Sequence, residues 1–141
     1  MPVDVSWFLD KRVLMCRFQG NVTIEELRDL AQTGIDSLET CSYPVMHSLY
    51  DAAALTSLPI NLQSIAHAAS RPYAHPKMGW IAIYNAHVPI LAFAADMILR
   101  LFRVRYRIVN TQADALDFLN AIDPDLPPLQ PLAKNGEPTT G

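Results

Sequence analysis

The hydrophobic and polar positions follow two different periods at the start of the chain. Residues 3–9 and 13–19 are runs of β-branched and aromatic side chains, separated by the polar residues 10–12. This spacing predicts an antiparallel β-hairpin. Residues 23–26 (TIEE) then match a capping box, and apolar residues recur every three or four positions up to about Glu39. The second pattern predicts an amphipathic helix that packs on the sheet.

The rest of the chain alternates between strand-like and helix-like segments. Further strands are predicted at VMHSLYDA (45–52), GWIAIYNA (79–86) and VRYRIV (104–109). Further helices are predicted at about 62–69, at 88–102 and after Thr111. The order is therefore β-β-α-β-α-β-α-β-α. Strands joined through helices run parallel, so we expect an α/β domain with a five-stranded mixed sheet, an opening hairpin and about four helices.

Length and composition favour one domain followed by a tail. The chain has 141 residues, of which 50% are hydrophobic, enough to build a single core. From residue 123 the sequence contains five of the 11 prolines and loses both periods. We therefore expect a domain over residues 1–122 and a proline-rich, flexible tail over residues 123–141.

Charge and cysteine content narrow the range of possible compartments and partners. The formal net charge of −3 gives no general attraction to nucleic acid, and no apolar segment is long enough to span a membrane. Cys16 and Cys41 form neither a CxxC motif nor a Cys/His spacing, which argues against a disulfide framework and against zinc. The start of the chain carries an acid where a signal peptide carries positive charge. We expect a cytoplasmic protein.

Catalytic motifs are absent from the sequence. It contains no HExxH, GxSxG, P-loop or GxGxxG motif. The polar groups that could assist a catalytic carboxylate are scattered along the chain: His47, His75, His87, Asp96 and Tyr84. We therefore expect no enzyme activity, no cofactor and no metal site.

Several segments together resemble a known family. They are the opening hairpin, the capped helix after FQGNVTIEEL, the strand in LYDAAAL, the apolar strand GWIAIYN and the terminal TQADALDFL. This combination resembles the SpoIIAA-like group of the STAS superfamily, over roughly Val3 to Ile122. The resemblance implies a single STAS-like domain that interacts with other proteins. In that superfamily, anti-sigma factor antagonists are switched by phosphorylation of a serine at a helix start, in a short Asp-Ser motif.

Asp51 matches the acid of that motif, but the serine is missing. Three alanines follow it, and the nearest hydroxyls belong to Thr56 and Ser57. We interpret this stretch as a switch or docking loop in which alanine replaces the phosphorylatable serine. Asp51 would then shape the turn into the next helix. Phosphorylation of Thr56 or Ser57 is the alternative to a plain capping role.

The predicted helix 88–102 is apolar almost all round. One side is a core stripe that includes Val88 and Leu91. The other side carries a second stripe of apolar residues: Ile90, Phe93, Met97 and Leu101. The second stripe either meets another protein or a second copy of the chain, is covered internally, or meets a ligand or membrane surface. We favour the protein interface.

Arginines follow this helix at alternate positions. Arg103, Arg105 and Arg107 would share one face of a strand, beside Arg100 of the helix. Such a row can contact an anionic group, although a solvated face that protects an edge strand is the interpretation we favour.

These patterns lead to two functional hypotheses. The first is a non-catalytic STAS-like interaction or regulatory module that docks a partner through helix 88–102 and the loop near Asp51. The alternative is a small apolar-ligand or lipid-binding protein with a cavity between that helix and the sheet.

Overall fold

The structure, a computed structural model, describes residues 3–131 and has the predicted order of elements. The strands are β1 (Val3–Leu9), β2 (Val13–Asn21), β3 (Met46–Ser57), β4 (Met78–Tyr84) and β5 (Tyr106–Ile108). The helices are α1 (Ile24–Thr40), α2 (Leu62–Tyr73), α3 (Pro89–Leu101) and α4 (Gln112–Ile122). The predicted α/β fold class is confirmed.

The sheet is mixed, and its strands lie side by side in chain order. β1 runs antiparallel to β2, and the other neighbouring pairs are parallel. Helices α1, α2 and α3 contribute side chains to the core on one face, and α4 covers the other. Parallel strands need crossover connections such as these helices. The alternation of strands and helices along the chain therefore leads to a sheet with helices packed on its faces.

Capping distinguishes the helix starts. Thr23 Oγ1 accepts a hydrogen bond from Glu26 N at 3.2 Å, and Thr23 N donates to Glu26 Oε1 at 2.8 Å, which confirms the predicted capping box of α1. Thr111 Oγ1 accepts from Asp114 N at 3.2 Å at the start of α4. Helix α3 has Val88 at its N-cap and no side-chain cap.

Strand β3 is longer than predicted. The prediction that it ends near Asp51 is wrong, because pairing with β2 continues through Ala54, Leu55 and Ser57. Its pairing with β4, by contrast, stops at Asp51 opposite Tyr84. The alanines that suggested a loop lie within a strand that is paired on one side.

Packing also continues beyond the predicted domain boundary at Ile122. Leu126 is buried in the cluster beneath α4. Asn120 holds the same segment, since its side chain donates to Pro127 O at 3.0 Å and accepts from Leu129 N at 2.9 Å. The first part of the predicted tail is therefore packed on the domain. The flexibility predicted for residues 132–141 concerns a range outside the described residues.

The helices of residues 3–131 are too short or too polar to cross a lipid bilayer. None combines the length and the apolar character that crossing a membrane requires.

Candidate functional site

An apolar cavity lies between α1, α2, α3 and the sheet. Its volume is about 690 Å³, including the part open to solvent. The walls are almost entirely hydrocarbon, with contributions from Phe18, Leu55, Ile65, Ile83, Leu91 and Phe102 among others. A cavity under helix α3 was predicted only under the alternative hypothesis of an apolar-ligand or lipid-binding protein. Walls of this apolar character suit an apolar side chain or a small apolar molecule.

A tyrosine pair links two walls of this cavity. The hydroxyls of Tyr50 on β3 and Tyr73 on α2 are 2.8 Å apart. Burial raises the pKa of Tyr73 to about 12 and the pKa of Tyr50 well above its usual value. Neither hydroxyl ionises near neutral pH, so the pair ties β3 to α2. Tyr73 also stacks on Phe102, with ring centroids 4.6 Å apart, which connects α2 to the end of α3.

The outer side of α3 is exposed. The second stripe that we predicted consists of Ile90, Phe93, Met97 and Leu101, whose exposed fractions range from 39% to 72%. Nothing in residues 3–131 buries this stripe, so internal cover by the described part of the chain is excluded. We call these four residues the outer stripe.

One residue of the predicted core stripe is misplaced. Val88 is exposed, because α3 begins only at Pro89 and Val88 is its N-cap. The inner side of α3 is buried through Leu91 and Leu99. The helix therefore touches the domain through a narrow strip.

Asp51, Thr56 and Ser57 do not form the predicted switch corner. Asp51 Oδ1 accepts from Ala53 N at 3.0 Å and from Asn85 Nδ2 at 3.3 Å, within the sheet. The Thr56 and Ser57 hydroxyls both donate to Asn21 Oδ1, at 2.9 and 2.7 Å.

The helix that was expected to follow this corner begins later. Helix α2 starts at Leu62 and is capped by Asn61, whose Oδ1 accepts from Ser64 N at 3.0 Å. Thr56 and Ser57 therefore do not face free helix amides. The idea that Asp51 shapes the turn into α2 is also wrong. A docking role for this segment stays a prediction.

The four arginines do not form one row. Arg100 pairs with Asp96, at 3.1 Å between Nε and Oδ2, on the α3 side of the sheet. The guanidinium of Arg105 lies 5.8 Å from the Trp80 ring, and that of Arg107 lies 5.4 Å from the Phe118 ring, on the α4 side.

Arg103 lies outside β5 and adopts a left-handed φ of 56°. A turn therefore separates it from the strand face on which it was predicted. The four arginines therefore do not converge on one place where an anion could contact them all. The expected edge strand is observed as β5.

His47 has a role that the sequence analysis missed. Its buried ring accepts from Trp80 N at Nδ1 over 3.0 Å, which leaves Nε2 to donate to Asp123 Oδ2 over 2.8 Å. Burial lowers the pKa of His47, outweighing the opposite effect of Asp123, so the ring is neutral at pH 7. A Cβ at Gly79 would lie 2.5 Å from His47 Nδ1, so glycine is required there.

The His47 contact is a structural tie. A catalytic imidazole needs one nitrogen free for substrate, and both nitrogens of this ring are bonded within the domain. No local signal could have revealed the tie, since His47 and Asp123 are 76 positions apart.

The other catalytic candidates are also separate from one another. Tyr84 OH donates to Met15 Sδ at 3.2 Å and accepts from Gln112 Nε2 at 3.1 Å. Asp96 accepts from Tyr106 OH and pairs with Arg100, and His87 is exposed. Within residues 3–131, no three His, Cys, Asp or Glu side chains are grouped so that they could hold a metal ion.

Sequence comparison finds no matching family model and no matching curated protein. Structural comparison does find matches. An uncharacterised protein of the DUF3478 family with a SpoIIAA-like fold, from Shewanella loihica PV-4, is similar at a TM-score of 0.59 and 16% identity, over 83% of this chain and 91% of the other. The anti-sigma factor antagonist SpoIIAA in its unphosphorylated form is similar at a TM-score of 0.57 and 9% identity, over 86% and 98%. The chain has a SpoIIAA-like fold.

The SpoIIAA-like fold confirms the resemblance found in the sequence. At these identities the likeness extends to the fold, and the residues of this chain must supply the argument for function. Two features of this SpoIIAA-like domain stand out: the outer stripe of α3 and the apolar cavity beneath that helix.

Proposed function

We propose that this SpoIIAA-like domain is a non-catalytic interaction or regulatory module that docks a partner through the outer stripe of α3. The observation that carries the proposal is the exposure of four large apolar side chains on consecutive turns of one helix. Contiguous apolar surface of this kind marks interaction sites on soluble domains. The partner is another protein or a second copy of this chain.

The chemistry of the stripe indicates what the partner presents. Phe93 and Met97 are adjacent on the helix, and aromatic and methionine side chains are enriched in interface centres. Asp96 and Arg100 pair with each other beside the stripe, so they leave little net charge there. A complementary apolar groove or helix face is the expected partner surface.

The non-catalytic part of the proposal is supported by the dispersal of the titratable groups. Both His47 nitrogens are bonded within the domain, and Asp51 accepts from Ala53 and Asn85. We further propose a cytoplasmic location, in keeping with the free thiols of Cys16 and Cys41.

Site-specific photo-cross-linking tests the proposed interface. A photoreactive phenylalanine analogue replaces Phe93 in one variant and Asp29, which is exposed on α1, in the control. In living cells we expect a discrete cross-linked product, either a dimer or a complex with one other protein, from position 93 only. Equal yields from both positions, or none from either, would contradict the proposal.

The cavity favours a second candidate function, the binding of an apolar ligand such as a lipid. Its walls are apolar and it is partly open to solvent. Native mass spectrometry of the purified full chain should then detect an apolar molecule. Ala95→Phe, which fills one wall, should remove that molecule while leaving the fold intact. Detection of the bare chain alone would rule this function out.

A further inference from the structure

One edge of the sheet is left without a partner strand. β4 pairs with β3 only as far as Asp51, whereas β3 continues to Ser57 and pairs there with β2 alone. In the described part of the chain, no other strand forms backbone hydrogen bonds with the opposite side of residues 52–57. Half of the N–H and C=O groups of a strand point to each side. The Ala53 N–H already donates to Asp51 Oδ1, so the open side offers the remaining backbone groups of this segment as donors and acceptors.

The cause lies at the end of β4. Asn85 adopts a left-handed φ of 61°, and its N–H donates to Asn110 O at 3.2 Å. The chain therefore leaves the sheet at Asn85 and turns towards α3. The place that a longer β4 would have taken beside residues 52–57 is empty of strand.

This edge differs from the two outer edges of the sheet. β1 carries Asp4, and β5 is three residues long, with Arg105 immediately before it and Arg107 within it. Charges and short length are the usual protection against unwanted strand pairing. Residues 52–57 (AAALTS) carry no charge and no proline, and the alanines at 53 and 54 are exposed.

The unpaired edge also borders the cavity. Ala52 and Leu55 lie in the cavity wall on the β3 side, and Ala86 and Leu91 lie in the wall formed by the chain that leaves β4. A strand placed along this edge would lie between these two walls. Since alternate side chains of a strand point to one face, every second residue of the added strand would face the apolar cavity.

We propose that an extended segment of a partner protein adds to residues 52–57 as an extra strand and inserts apolar side chains into the cavity. The remaining backbone groups at strand spacing are those that another extended backbone can satisfy, and the pocket beside them selects the side chains. The inference rests on the proposed function as an interaction module. The partner would then present an extended segment, and residues 52–57 would form a second contact in addition to the outer stripe.

Selection from a phage-displayed library of random octapeptides on the immobilised full chain tests this inference. We expect the selected peptides to carry apolar residues at alternate positions. When the best synthetic peptide binds, amide hydrogen exchange should slow at residues 52–57. A selection that yields no peptide, or peptides that protect other amides, would overturn the inference.

Matched N-methylated peptides separate strand addition from simple apolar binding. Two copies of the best peptide carry N-methyl groups on alternate amides, one copy for each edge. We expect one copy to lose about tenfold or more in affinity, because it lacks the edge hydrogen bonds, and the other to bind like the parent. If both copies bind like the parent, the cavity alone recognises the peptide and strand addition is wrong.

The same peptides distinguish this inference from the proposed function. Failure of the peptide experiments together with a specific cross-link at position 93 overturns strand addition and leaves the outer stripe as an interface. Peptide binding at residues 52–57 without a cross-link at position 93 would reject the outer stripe as an interface and would retain residues 52–57 as the docking site.

Discussion

Helices α3 and α4 cover opposite faces of one sheet and are held very differently. On α4, Ala115, Leu116 and Leu119 are completely buried, and Trp80 packs edge-on against Phe118. On α3, Leu91 and Leu99 are the buried residues, and a cavity lies beneath the helix. The comparison indicates that the α4 face contributes more to the stability of the fold, while the α3 face leaves apolar surface exposed.

The two helices also differ at their first turns. Thr111 caps α4 through its side chain, whereas Val88 offers α3 no capping atom. An uncapped helix held by few buried contacts opens at a lower free-energy cost than one that is capped and buried. Local opening of α3 would expose the cavity without unfolding the α4 face.

The largest expected effect comes from the same substitution on the two helices. Leu119→Ala should lower the free energy of unfolding by about 2–5 kcal/mol, because it leaves a void in the α4 core. Leu101→Ala on the outer stripe should cost less than about 1 kcal/mol, since that side chain is already 44% exposed. Urea unfolding of both variants measures the difference. Similar losses for the two would remove the contrast between the faces.

The next effect concerns the tie that anchors the C-terminal segment on the α4 face. His47→Gln should cost about 1–3 kcal/mol, because hydrogen bonds of the Trp80 N–H and of Asp123 to the buried His47 ring are disturbed. The exposed His67→Gln is the control and should have little effect. Thermal unfolding at pH 7.5 compares them, and equal stability of the two variants would argue against the tie.

The tie also predicts how stability depends on pH. Burial lowers the pKa of His47 from 6.5, so the folded state binds fewer protons than the unfolded state below that pH. The contribution of His47 to the free energy of unfolding should therefore be fully present above about pH 6.5. It should decrease as the pH falls from 6.5 towards the lowered pKa of His47 in the folded protein. The pKa of Asp123 is lowered from 3.8: burial acts to raise it, and hydrogen bonds from His47 and the Asp125 amide outweigh that effect. Its contribution is lost as the pH falls through its own lowered value.

The His47→Gln and His67→Gln variants test whether His47 causes the loss of stability just below pH 6.5. Unfolding of His47→Gln should lose the pH slope just below 6.5, while His67→Gln should keep it. A slope that survives in His47→Gln would assign it to another group.

Helix capping gives a smaller effect with opposite signs on the two helices. Thr111→Ala should destabilise the chain by about 1 kcal/mol, because Asp114 N loses its acceptor. Val88→Asp should add a capping acceptor to α3 and slow amide exchange in its first turn by several-fold. Hydrogen exchange resolved by residue measures both changes. Unchanged exchange in Val88→Asp would indicate that the start of α3 is already held by other contacts.

The parts of this structure that could be predicted are those written in local sequence. The capping box at Thr23 and the alternation of strands and helices depend on neighbours in the chain, and both are observed. The exposed apolar stripe of α3 was also visible as a second set of apolar positions at helical spacing.

The parts that could not be predicted depend on distant partners. β3 extends through its alanines because β2 continues to Asn21 beside it. The tie between His47 and Asp123 joins residues far apart in the chain. The arginines separate because a left-handed turn at Arg103 precedes β5 and because the strand's two faces meet different helices. None of these causes leaves a pattern in the local sequence.

The most direct test of the outer stripe is the unfolding of the double variant Phe93→Glu, Met97→Glu. Both side chains are exposed, so we expect the variant to fold and to lose less than about 1 kcal/mol in the free energy of unfolding, measured by circular dichroism in urea. A loss of several kcal/mol, or an unfolded chain, would show that the stripe is buried within the monomer and would contradict its assignment to a partner.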